Sequence, residues 1–107
     1  ELMELIGGLV RRAPAGERTP PERSGATFTL SNLGMHGASR SSTILSPPQA
    51  AAVAAGAIRA APVLRGGAIV PGEMMTLTLA CDHRILYGVP AARFLTAIGT
   101  RMAKAAL

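Results

Sequence analysis

The sequence predicts an α+β domain. Three observations carry that expectation: apolar stripes at helical spacing near both ends, strand-like alternation between them, and a Gly66-Gly67 pair set between two apolar couples. Leu2, Met3, Leu5, Ile6, Leu9 and Val10 recur every three to four residues, which predicts an amphipathic helix over residues 1–12. Gly7-Gly8 weakens it by about 1 kcal/mol per glycine. Residues 14–25, with Gly16, Pro20-Pro21 and scattered charge, form a loop. Residues 26–31 alternate β-branched and aromatic side chains and are expected as a strand, followed by a small-residue loop over 32–42.

Residues 50–58 are open to two readings. Alanine is the best helix former, yet the short length and the bounding prolines also suit a buried strand, and periodicity does not arbitrate. Val63-Leu64 and Ala68-Ile69 around Gly66-Gly67 predict a hairpin. Pro71-Gly72 then opens a strand over 74–81. The last helix takes Pro90 in its first turn and carries Phe94, Leu95, Ile98, Met102 and Ala105 as its stripe.

Composition excludes several function classes. The 107 residues allow one small domain, and with only Phe28, Tyr87 and Phe94 as aromatics its core is thin, so subunit association is expected. A lone Cys81 forms no internal disulfide, which points to a reducing, cytoplasmic setting. The longest apolar run, residues 50–58, falls far short of the roughly 20 residues of a membrane span, and Glu1 and Glu4 argue against a signal peptide. Net charge is +5, but the arginines are dispersed and stacking aromatics are missing. That pattern fits solubility or an anionic ligand better than nucleic acid.

Chemistry concentrates in residues 79–88. His83 is expected just past a strand end, and imidazole is the side chain best suited to take a proton near neutrality. By itself such a histidine also suits a plain capping role against a backbone carbonyl. Cys81, Asp82 and His83 are contiguous and not spaced as ligands of one tetrahedral site, so no metal is expected. Asp82 is expected to face away from His83, because successive strand residues alternate. Cys81 reads as a small hydrophobe, Asn32 as a turn former, His36 as an exposed loop residue, Arg84 as a partner for some carboxylate, and the five methionines as core fill.

Four segments, in order, resemble the catalytic domain of dihydrolipoamide acyltransferases, the E2 cores of 2-oxoacid dehydrogenase complexes. They are residues 27–35 (TFTLSNLGM) followed by Gly37, 47–58 (PPQAAAVAAGAI), 74–84 (MMTLTLACDHR) followed by Gly88, and 91–95 (AARFL). Ser31 and His83 lie 52 positions apart, as the family pattern expects. The resemblance implies a chloramphenicol acetyltransferase-like sheet with helices packed on one face, here truncated to the C-terminal part of the catalytic domain over 1–107. It implies acyl transfer from a dihydrolipoyl thioester to coenzyme A, with the lipoyl group supplied by another domain or chain and no metal. His83 would be the general base and Ser31 the donor to the oxyanion, the two meeting across subunits of a homotrimer or larger assembly. Lipoyl domains and the other dehydrogenase-complex subunits would be the partners.

Two departures stand out. Tyr87 occupies the position where the family carries Asp or Asn, and tyrosine is neutral below about pH 10. The chain also matches only the later part of the catalytic domain. Both favour an alternative reading, a catalytically weak or silent E2-like scaffold that keeps the surfaces forming the oligomeric core.

Overall fold

The alanine-rich segment that periodicity leaves open is a strand. The computed structural model describes residues 1–105, the side chain of Arg23 excepted. In order, its elements are α1 (Leu2–Arg12), β1 (Thr29–Asn32), β2 (Ala51–Ala55), β3 (Arg59–Arg65), β4 (Ala68–Met74), β5 (Leu77–Cys81) and α2 (Gly88–Ala105), with 3-10 turns at Pro20–Arg23 and Gly34–His36. Strand β2 is central. On one side β1 runs parallel to it, from Thr29 opposite Ala52 to Asn32 opposite Ala55. On the other β5 runs antiparallel, from Cys81 opposite Ala51 to Leu77 opposite Ala55. Ladders on both edges pair β2 from Ala52 to Ala55, and that pairing overrides the helical preference of alanine.

The fold is α+β, as expected. Its buried core is β2 itself: Ala51, Ala52, Val53, Ala54 and Ala55 are each at most 6% exposed. Helix α2 packs against β5, and Phe94 meets Phe28 edge-on with ring centroids 5.8 Å apart, tying the helix to the approach of β1. Helix α1 forms where its period predicts, yet it has no buried residue, and Leu2, Leu5 and Val10 stay at least 63% exposed. Cα atoms spread to a radius of gyration of 16.4 Å. A compact domain of this length would give about 13 Å.

Strand β1 begins three residues later than alternation suggests, because its only ladder starts opposite Ala52. The hairpin is placed as predicted. Gly66 (φ 56°) and Gly67 (φ 81°) take the two left-handed positions of its turn, which side chains other than glycine adopt at a cost. A two-residue turn makes Arg65–Ala68 a hydrogen-bonded pair and alternates from there, so Pro62 opposite Pro71 falls on a non-bonded pair. Their missing N–H groups therefore cost the ribbon nothing, and β4 runs through Pro71-Gly72 where the sequence suggested a new strand opening. The break comes at Met75-Thr76, and β5 starts at Leu77.

A close crossing fixes the far end of β2. Ala57 N–H donates to the Ala38 carbonyl at 2.8 Å, and a Cβ on Gly34 would lie 2.5 Å from the Gly56 carbonyl oxygen. A Cβ on Gly56 would run into the Ser39 carbonyl.

At the end of α1, Arg12 donates through Nη1 and Nη2 to both Glu22 carboxylate oxygens (3.0 and 2.9 Å), and Thr19 N–H donates to Glu22 Oε2 at 2.8 Å. The Arg12 hydrogen bonds, then the Thr19 N–H, lower the Glu22 pKa from 4.5 to about 2. A folded-state value below the unfolded one means the clamp adds stability above pH 4.5 and loses it as pH falls toward 2. An NMR titration of the Glu22 carboxyl carbon should show a midpoint near 2 that rises toward the ordinary value in Arg12→Gln.

Candidate active site

Strand β5 ends at Cys81, and the chain turns at once. Asp82 N–H donates to the Ala50 carbonyl at 2.8 Å, extending the ladder by one bond. The Asp82 carbonyl then accepts from Ile85 N–H (2.9 Å) and Leu86 N–H (2.8 Å). His83 sits on this tight turn, exposed to solvent. Its ring meets the Tyr87 ring edge-on, with centroids 6.2 Å apart and planes at 64°. Tyr87 lies just before α2, whose first turn its carbonyl caps by accepting from Ala91 N–H.

Asp82 does more than the alternation of strand residues suggests. Its Oδ1 accepts from Arg84 N–H and Arg84 Nε, each at 3.0 Å, and its Oδ2 accepts from Arg84 Nη2 at 2.8 Å. The Arg84 hydrogen bonds, side chain first and backbone next, bring the Asp82 pKa from 3.8 down to about 2, and Asp82 in turn raises that of Arg84. Sequence reasoning left Arg84 without a named partner and turned Asp82 away. The missed signal was the Asp-x-Arg spacing at a strand end, where an aspartate reaches the backbone N–H two residues on.

Ser31 belongs to β1 opposite Ala54, on the half-buried side of the strand with Thr29. Asn32 accepts from Gly34 N–H at 3.1 Å and so shapes the following turn, as expected; His36 is exposed at its tip. Thr29 donates to Gln49, which pins the start of β1 to the approach of β2. Cys81 is half-buried.

The structure brings His83 and Tyr87 together but keeps Ser31 apart from them. Ser31 is level with the end of β2, at Ala54, whereas His83 lies beyond Cys81, which pairs with the start of β2 at Ala51. Strand rise and strand spacing put the two residues roughly 20 Å apart, at opposite ends of one sheet. Two apolar clefts, one along Pro62, Ile69 and Val70 and one of about 420 Å³ among Ile58, Met74, Met75 and Met102, include neither of them. Among the described residues no cluster of three His, Cys, Asp or Glu side chains is placed to hold a metal.

Comparison with known proteins defines the class. The model of the family described as 2-oxoacid dehydrogenases acyltransferase (catalytic domain) matches residues 1–107, and the chain belongs to that family. It is 37% identical over 98 residues to the dihydrolipoyllysine-residue succinyltransferase component of the mitochondrial 2-oxoglutarate dehydrogenase complex 1 of Arabidopsis thaliana, covering 92% of this chain and 21% of the relative. It is 35% identical to the acetyltransferase component of the pyruvate dehydrogenase complex of Rickettsia conorii, covering 91% and 24%. The chain thus spans about a quarter of the curated relatives it matches. Among solved structures, a probable dihydrolipoamide acetyltransferase from Listeria monocytogenes superposes with a TM-score of 0.89 at 35% identity, over 94% of this chain and 43% of that one. The dihydrolipoamide acetyltransferase of Azotobacter vinelandii gives 0.87 at 31%, over 92% and 41%. The fold is accordingly that of E2 catalytic cores.

Proposed function

We propose that this chain supplies catalytic groups of a dihydrolipoamide acyltransferase, moving an acyl group from a dihydrolipoyl thioester to coenzyme A in the core of a 2-oxoacid dehydrogenase complex. One observation carries the reading. Ser31, His83 and Tyr87 are separated by 52 and 4 positions, the same separations as the serine, histidine and asparagine investigated for their role in the catalytic mechanism of the Azotobacter vinelandii enzyme.

In this reading the chain corresponds to the C-terminal part of the catalytic domain. His83 takes the proton of the coenzyme A thiol, and the thiolate attacks the thioester carbonyl. The Ser31 hydroxyl donates to the oxyanion of the tetrahedral intermediate. Collapse expels the dihydrolipoyl thiolate, which takes from the imidazolium the proton that the coenzyme A thiol gave up. Tyr87 holds the imidazole by its ring edge rather than by a carboxylate or amide. Since Ser31 and His83 occupy opposite ends of the sheet, His83 of one copy works with Ser31 of a neighbouring copy. That makes a homotrimer or larger assembly part of the mechanism, with lipoyl domains and the other subunits of the complex as partners. A reducing, cytoplasmic setting fits the lone Cys81; among the described residues no helix is long and apolar enough to cross a membrane.

A silent scaffold is the second reading, favoured by the 58% exposed Tyr87. Exchange between an acyl-dihydrolipoamide and coenzyme A separates the two. His83→Ala is expected to lower turnover by about 10³-fold, within the usual range for a general base. Equal rates for parent and variant would leave the scaffold. Sedimentation as a stable monomer would count against both.

A further inference from the structure

We infer that Asp82 is the positioning residue of this site, fixing the backbone of His83 through a side-chain turn that Arg84 braces. The inference rests on the acyl-transfer reading of His83. Among the described residues the His83 imidazole makes no side-chain hydrogen bond, so its aim depends on where its backbone stands and on the Tyr87 ring.

That backbone is governed from one residue. Asp82 takes part in six hydrogen bonds: its N–H to Ala50, its carbonyl from Ile85 and Leu86, and its carboxylate from the N–H, Nε and Nη2 of Arg84. Ala50 anchors the turn to the sheet, Ile85 and Leu86 close it, and the carboxylate spans His83 from one flank to the other. The side-chain bonds bind residue 82 to residue 84, so His83 is the residue they straddle. Arg84 is 88% exposed and Asp82 only 18%, so the ion pair itself adds little to stability. Its geometry instead orients the carboxylate for the Arg84 N–H. Held this way, with its pKa lowered to about 2 by the Arg84 hydrogen bonds, the carboxylate is ionised at neutral pH.

The two parts of the frame can be separated. Asp82→Asn keeps an oxygen for the Arg84 N–H and loses the charged fork; Asp82→Ala loses every side-chain bond. In the full chain, acyl transfer to coenzyme A by Asp82→Ala should fall roughly 10²-fold in kcat, the cost of a base displaced by about 1 Å, with KM for coenzyme A changed less than about twofold. Asp82→Asn should recover all but about fivefold of the loss. NMR adds a readout independent of turnover: the proton contact between the His83 and Tyr87 rings should survive in Asp82→Asn and vanish in Asp82→Ala. Retained ring contact and kcat in Asp82→Ala would overturn the inference, and so would an Asp82→Asn as impaired as the alanine variant. If His83→Ala leaves turnover unchanged, the acyl-transfer reading falls by itself, while the ring contact still decides the role of Asp82.

Discussion

Equal amounts of His83→Ala and Ser31→Ala chains, co-assembled, should regain about a quarter of the parent activity although each variant alone is nearly inert. In the acyl-transfer reading, removing the base costs about 10³-fold and removing one oxyanion donor about 10²- to 10³-fold. The recovery follows from where the structure puts the two groups. Within one chain Ser31 stands at the Ala54 end of the sheet and His83 past the Ala51 end, so no single copy joins them. A site shared between copies is intact whenever a chain with its histidine meets a chain with its serine. Random mixing gives that combination at about one contact in four, for a two-fold pair and a closed ring alike. The measurement is coenzyme A acyl transfer after unfolding and joint refolding, compared with separately refolded variants. Recovery no greater than the sum of the two would place base and donor in unconnected sites.

Gly56→Ala should be the most damaging small substitution. Its methyl, on a buried residue, would enter the Ser39 carbonyl, a backbone group with no rotamer to yield. Overpacking of this kind costs about 1–3 kcal/mol or more. The Ala57–Ala38 hydrogen bond crosses at the same point, so relief by backbone movement would strain it. Gly8→Ala is the matching control: nothing lies within 4 Å of its added carbon and it is inside α1, so it should stabilise by about 1 kcal/mol. Urea midpoints at unchanged slope would measure both. A Gly56→Ala midpoint equal to the parent's would show that the loop and β2 do not press together in solution.

What was legible in the sequence depended on local signals. Gly66-Gly67 located its hairpin because two consecutive left-handed positions require residues of that kind. The apolar period located α2, whose half-buried positions include Ala91, Leu95, Ile98 and Gly99. Residues 50–58 were not legible, since alanine carries no information about which face is buried and only the pairing of β2 on both edges settled its form. The motif around His83 was legible as a motif. Its frame was not, because alternation was carried one residue past the strand end, to Asp82, where a turn had already begun. The resemblance already implied that Ser31 and His83 come from different copies; their separation within one chain follows from the register, Ser31 opposite Ala54 and Cys81 opposite Ala51.

The alanines of β2 have a thermal consequence. Alanine has no rotamers to freeze, so ordering this strand costs backbone entropy and almost nothing further. The same methyl groups remove little apolar surface from water, and the heat-capacity increment of unfolding grows with that surface. A centre built this way gives a shallow stability curve, nearly level between cold and warmth and modest in height.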